Sequence, residues 1–144
     1  MAADAADIEV GETFSREAHF DLAGIKAFAE ACGDTNPLHH DPAYAAATRF
    51  GGVIACGPHV TALLMALTAA HFAPRGPGVG LGFSFRLRSA VRAGETVVMR
   101  WRVTAVTPKA SLGGHVVQLE GEVVRPGGIV AVTATGEALA MDRP

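Results

Sequence analysis

Gly57-Pro58-His59-Val60-Thr61-Ala62-Leu63-Leu64-Met65-Ala66-Leu67-Thr68-Ala69-Ala70-His71 is the stretch whose reading decides the fold. Pro58 falls in what would be the first turn of a helix, where its missing N–H costs least. From Val60 to Ala70 the run is apolar on nearly all sides and carries no Asp or Glu. A helix without a polar face needs other structure around it. The run is also well short of the ~20 apolar residues that span a bilayer. It reads as a buried central helix.

The C-terminal half of the chain supplies the wrapping. Gly76-Pro77-Gly78 ends the crossing, and the pattern then changes to strands. Residues 79–89 alternate around Leu81, Phe83, Phe85 and Leu87. Ala93-Gly94-Glu95 forms a turn, and 96–106 alternates again through Val97, Met99, Trp101 and Val103. Residues 116–124 and 129–139 complete the set, joined by Arg125-Pro126-Gly127-Gly128. On the N-terminal side, residues 11–20 form a first strand. Asp21 then stands as an N-cap ahead of Leu22, Ile25, Phe28 and Ala29, and Gly33 is the C-terminal stop. From Gly33 to Gly57 the chain is rich in Asp, Asn, Pro, Gly and His, a long loop with a short helical turn around Ala43 to Ala47. Connections of this length in small domains are more often functional than idle. The expectation is an α+β domain over residues 1–144, with about five antiparallel strands curved around one apolar helix. The first ten residues or so are expected to form a loose N-terminal tail.

Composition bounds the function. The 144 residues, 49% of them hydrophobic, suffice for one apolar core and not for two ordinary domains. With 12 basic against 14 acidic side chains and a net charge of −2, nothing suggests a nucleic-acid binder. Met1 to Asp7 is acidic and does not have the form of a signal peptide. The two cysteines, Cys32 and Cys56, lack metal-ligand spacing and suit reduced thiols in a cytoplasmic protein.

The long loop holds the chemistry. Gly33-Asp34-Thr35-Asn36-Pro37-Leu38-His39 places a carboxylate and an imidazole on one turn-rich segment. Such a pair can hold a water molecule, accept its proton and deliver a proton elsewhere, which is what adding water to a double bond requires. Pro37 fixes one backbone dihedral between them, and Asn36 can orient either side chain or bridge to another loop. Taken alone, the same residues also fit a turn-forming Asp and a loop-bonding His.

The longer string carries more. Gly33 to His39, then Asp41, Tyr44-Ala45, Thr48-Arg49-Phe50-Gly51-Gly52 and Ile54-Ala55-Cys56-Gly57, closely resembles the MaoC-like, (R)-specific enoyl-CoA hydratase family. The rest of the chain matches more loosely, including Phe83-Ser84-Phe85-Arg86 and Val91 to Glu95. The resemblance implies a hotdog fold, a long helix wrapped by a curved antiparallel sheet, and a homodimer. It implies that Asp34 and His39 bind and activate water, with Asp34 as general base on the water and His39 holding it and supplying a proton to the α-carbon, although the sequence leaves open which of the two transfers which proton. It also implies that the Gly57 N–H, at the start of the apolar helix, serves the thioester oxygen. The substrate would be an acyl-CoA, with no cofactor beyond its coenzyme A and no metal.

One position departs from the pattern: the family commonly has His where this chain has Cys56. A backbone contact from Gly57 is unaffected by that change, and Cys56 reads as a small packing residue. Tyr44 and Phe50 are candidates to shape the substrate pocket, with Asn36 beside them, and both rings equally suit packing under the loop. His40 and Asp41 are expected to face solvent. His59, His71 and His115 share no ligand spacing. Arg86, Arg88, Arg92 and Arg100 suit either coenzyme A phosphates or the outward face of strands. Two other readings stay open, a hotdog acyl-CoA thioesterase and a non-catalytic acyl-CoA-binding module. The absence of any carboxylate on the central helix argues against the first.

Overall fold

Alternation and the apolar run sort the chain into a sheet and a helix in the computed structural model, which describes residues 4–144. Strand β1 (Thr13–His19) leads into helix α1 (Leu22–Cys32) and the short helix α2 (Pro42–Ala46). The central helix α3 (Gly57–Phe72) comes next, then strands β2 (Gly78–Leu87), β3 (Thr96–Lys109), β4 (Gly114–Arg125) and β5 (Ile129–Met141). The strands form one five-stranded sheet in the order β1-β3-β4-β5-β2, antiparallel throughout. The expected α+β hotdog architecture is therefore present. β3 and β4 run further than their alternation predicts, because Thr107, Pro108 and Lys109 pair with Val116, His115 and Gly114 after the apolar pattern has faded.

Helix and sheet meet through the inward residues of each strand. Val60, Leu64, Leu67 and Phe72 of α3 are buried, as are Val97, Met99, Trp101 and Val103 of β3 and Val117, Leu119 and Val123 of β4. Full burial of such a side chain stabilises by about 1.5–3 kcal/mol. Trp101 also fixes the helix at its middle, since its Nε1–H donates to the Leu64 carbonyl at 2.8 Å. Its ring needs a flat neighbour. Gly121 lies opposite it across the β3–β4 ladder, and a Cβ there would stand 2.4 Å from the indole.

Two expectations are corrected. The N-terminal segment is not loose where it is described: Asp4 caps a single 3-10 turn, Ala5–Asp7, and Ala5 and Ile8 are buried against the core. Apolar side chains among so many alanines and acids anchor the segment without any periodicity to show it; Met1 to Ala3 lie outside the described residues. In β2, Phe83 and Phe85 stack on the inner side, but Leu81 and Leu87 are 46% and 62% exposed. A register shift between Gly80 and Gly82 breaks the parity that would have turned Leu81 inward.

Candidate active site

The site begins where α1 stops. Gly33, at φ 80°, takes the left-handed conformation that a side chain disfavours, and the helix closes with Gly33 N–H on the Glu30 carbonyl and Asp34 N–H on that of Ala29. Asp34 thus leaves the helix with its backbone already held. Its Oδ1 accepts the Asn36 N–H at 3.0 Å, while Asn36 Oδ1 accepts the Leu38 N–H at 3.1 Å and caps the turn Pro37–His39. One carboxylate oxygen, Oδ2, remains.

His39 is turned towards it. The imidazole is 6% exposed, and its Nδ1 lies 2.7 Å from the Ile54 carbonyl. A carbonyl only accepts, so Nδ1 carries a proton, and Nε2 is bare whenever the ring is neutral. That Nε2 stands 3.3 Å from Asp34 Oδ2. Two acceptor atoms thus face one space, an arrangement that a molecule with two donors, water, satisfies.

The same contacts carry the pair to the start of α3. Ile54 N–H donates to the Leu38 carbonyl, and Ala55 N–H to that of Val91, so residues 53–55 run between the loop and the turn after β2. Three residues beyond Ile54, Gly57 opens α3. Pro58 has no N–H, and those of His59 and Val60 turn to the Cys56 carbonyl. The Gly57 N–H is left as the first-turn donor without an acceptor among the described residues, at the positive end of a 16-residue helix. Leu87 leans over this point: a Cβ on Gly57 would meet its Cδ1 at 2.7 Å.

Cys56 is fully buried, and burial pushes its thiol up, with the nearby Asp34 carboxylate acting in the same direction. It remains a thiol that packs, with no nucleophile formed. Asn36 organises the loop through its backbone N–H and its cap. Tyr44 is 50% exposed on α2 and has no hydrogen bond from its ring to the pair. Phe50 is partly buried beneath the Arg49 guanidinium, 4.9 Å from its centroid. Arg100 pairs with Glu122 across the outer face of the sheet, as the period-two reading expects, and Arg86, Arg88 and Arg92 are exposed. An apolar cavity of about 380 Å³ lies at the far end of α3, between Thr68, Phe72, Val79 and Leu139, apart from these groups.

The expectation that His40 faces solvent is corrected. Its Nε2 lies 2.6 Å from the Asp34 carbonyl, so it is partly buried and bonded instead of facing solvent. Asp41 does stay exposed and caps α2 by accepting the Tyr44 N–H. The other histidines are dispersed. His59 stacks on Phe28, His71 bonds Glu12, and His115 lies at the start of β4.

Known proteins share both the sequence and the architecture. Residues 5–125 match the family model described as a MaoC like domain. The chain is 33% identical over 135 residues to the (R)-specific enoyl-CoA hydratase of Aeromonas caviae, covering 94% of this chain and 96% of that protein. It is 32% identical over 128 residues to a 3-hydroxybutyryl-CoA dehydratase of Methylorubrum extorquens, covering 82% and 80%. In three dimensions it is similar to the unliganded R-hydratase of Pseudomonas aeruginosa, with a TM-score of 0.82, 28% identity and coverage of 99% and 88%.

Proposed function

Because this chain belongs to the family of the MaoC like domain, we propose that it is a hydro-lyase, adding water reversibly to a trans-2-enoyl-CoA to give the (R)-3-hydroxyacyl-CoA. The observation that carries this reading is the geometry of Asp34 and His39, whose Oδ2 and Nε2 face each other at 3.3 Å while Nδ1 is engaged by the Ile54 carbonyl, so that both facing atoms are acceptors when the ring is neutral.

A water that donates one hydrogen to each atom keeps a lone pair for the substrate. As its oxygen bonds to the β-carbon, the double-bond electrons move towards the thioester and charge builds on the carbonyl oxygen. The Gly57 N–H and the start of α3 favour that charge. The proton leaving the water is held between Asp34 Oδ2 and His39 Nε2 and passes to the α-carbon, so hydroxyl and hydrogen both end on the product. An imidazolium formed on the way is stabilised from both sides, by the Ile54 carbonyl and the Asp34 carboxylate. No electrons are exchanged with a cofactor, so coenzyme A enters only as part of the substrate.

We further propose a homodimer formed along β2. This strand is an edge of the sheet, and Val79, Leu81 and Leu87 expose apolar surface along it. A second copy would cover both the unpaired backbone and those side chains, beside the site that Leu87 overhangs. A cytoplasmic setting suits the free thiols of Cys32 and Cys56.

Incubating the protein with trans-2-enoyl-CoA substrates of increasing chain length tests the activity. Loss of the ultraviolet absorption of the conjugated thioester without release of free thiol is the expected result. Release of thiol from a saturated acyl-CoA would establish a thioesterase instead.

A further inference from the structure

We infer that His40 is a positioning residue for Asp34, a role that rests on the hydratase reading of the site. The Asp34 main chain is held on both sides. Its N–H is bound by the last turn of α1, at 2.8 Å from the Ala29 carbonyl. Its own carbonyl accepts from His40 Nε2 at 2.6 Å, a contact that closes the loop from Asp34 to His40 into a ring. Between these anchors lie Asp34 Oδ1 on the Asn36 N–H and Asn36 Oδ1 on the Leu38 N–H. Within the loop the turn is closed by His39 N–H on the Asn36 carbonyl and His40 N–H on that of Pro37, and the two consecutive histidine side chains divide the task of anchoring it. His39 Nδ1 ties the loop to residues 53–55, and His40 Nε2 ties it to its own beginning.

The consequence is geometric. Asp34 Oδ2 and His39 Nε2 bracket one water only while their 3.3 Å separation holds. His39 is fixed through Ile54, on a separate segment, so slack at the Asp34 carbonyl changes the separation directly. The His40 ring does not touch the reacting atoms. It needs only a donor at the Nε2 position, and both the neutral tautomer that bonds a carbonyl there and the imidazolium provide one. Glutamine places an N–H at a similar reach, and leucine keeps the bulk without the donor.

The test compares wild type, His40→Leu, His40→Gln and Asp34→Asn by kcat, KM, the pH profile of kcat/KM and thermal midpoint. His40→Leu is expected to lower kcat about tenfold or more, with KM little changed, because small misplacements of a catalytic group carry large rate penalties. Its pH profile should be displaced, since the spacing of the titrating pair has changed. His40→Gln should restore kcat and overlay the wild-type profile. If His40→Leu lowers only the thermal midpoint and keeps kcat and profile, or if His40→Gln fails as leucine does, the positioning role is wrong. Asp34→Asn separates the two ideas: should it keep full activity, the hydratase reading of the pair falls, whereas its loss beside an unaffected His40→Leu would overturn this inference alone.

Discussion

Two histidine–carboxylate pairs stand at opposite ends of α3, and they hold their protons in opposite places. At the C-terminal end, His71 Nε2 meets Glu12 Oε2 at 2.6 Å, and the other Glu12 oxygen binds Arg75 at 2.9 Å. The proton lies between the partners, each carboxylate oxygen is used, and Phe14 stacks on the imidazole at 3.8 Å. At the N-terminal end, the His39 proton points away to the Ile54 carbonyl, and the pair is left 3.3 Å apart with a bare nitrogen facing a free oxygen. The closed pair joins β1's approach to the last turn of α3, and both of its carboxylate oxygens are already bonded. The open pair is unfinished by the protein alone. The same two chemical groups, an imidazole and a carboxylate, therefore yield a structural clamp or a water site according to where a single main-chain carbonyl directs the imidazole proton.

Breaking the open pair should have the largest effect. Asp34→Asn and His39→Gln are each expected to lower hydration by about a hundredfold or more, the usual scale for general acid–base groups, with the fold retained by circular dichroism. Activity near wild type in both variants would contradict the mechanism.

Breaking the closed pair should change stability and leave the chemistry alone. Burial pushes the Glu12 carboxyl up, but the bonds from His71 and Arg75 outweigh it, and the group ends below its ordinary value of 4.5. A depressed carboxylate contributes stability above its unfolded value, and that contribution is lost as pH falls through the folded one. Glu12→Gln should therefore unfold in urea about 2 kcal/mol more easily near neutrality, a typical value for lost charged hydrogen bonds. The difference should narrow as the solution is acidified below 4.5, with kcat unchanged throughout. A fall in kcat to match Asp34→Asn would erase the distinction between the pairs.

A smaller effect sharpens the contrast within the N-terminal end. His59 stacks on Phe28 with ring centroids 4.4 Å apart, and its buried Nδ1 has no partner among the described residues. Burial lowers its pKa from 6.5, so the unfolded chain takes up a proton more readily and stability declines as pH falls below that value. His59→Phe should raise stability by about 1 kcal/mol, with a gain that grows on acidification. A loss of stability would show that the imidazole has a partner after all.

Much of the fold and of the open pair is visible in the residues. The apolar run of α3, the alternation of β3 to β5, and the caps at Asp21 and Gly33 all depend on local patterns, and the structure obeys them. Asp34, His39 and Gly57 stand out through the resemblance of the longer string, since turn chemistry alone also fits a turn-forming Asp and a loop-bonding His. The Glu12 clamp is not legible, since its partners lie 59 and 63 residues away and meet only when the sheet closes on α3. His40 is misplaced in solvent for another reason: its partner is a main-chain carbonyl, which every residue carries and no residue type announces. Leu81 misleads because a bulge shifts strand parity without altering composition.

The contrast between the two pairs turns on the position of one proton. Nitrogen NMR of the imidazole rings, recorded at about pH 9 where free histidine is neutral, distinguishes the two tautomers directly. Opposite tautomers are expected, with the proton on Nδ1 in His39 and on Nε2 in His71. A proton on Nε2 of His39 would close the pair as Glu12 closes His71, and would contradict the account.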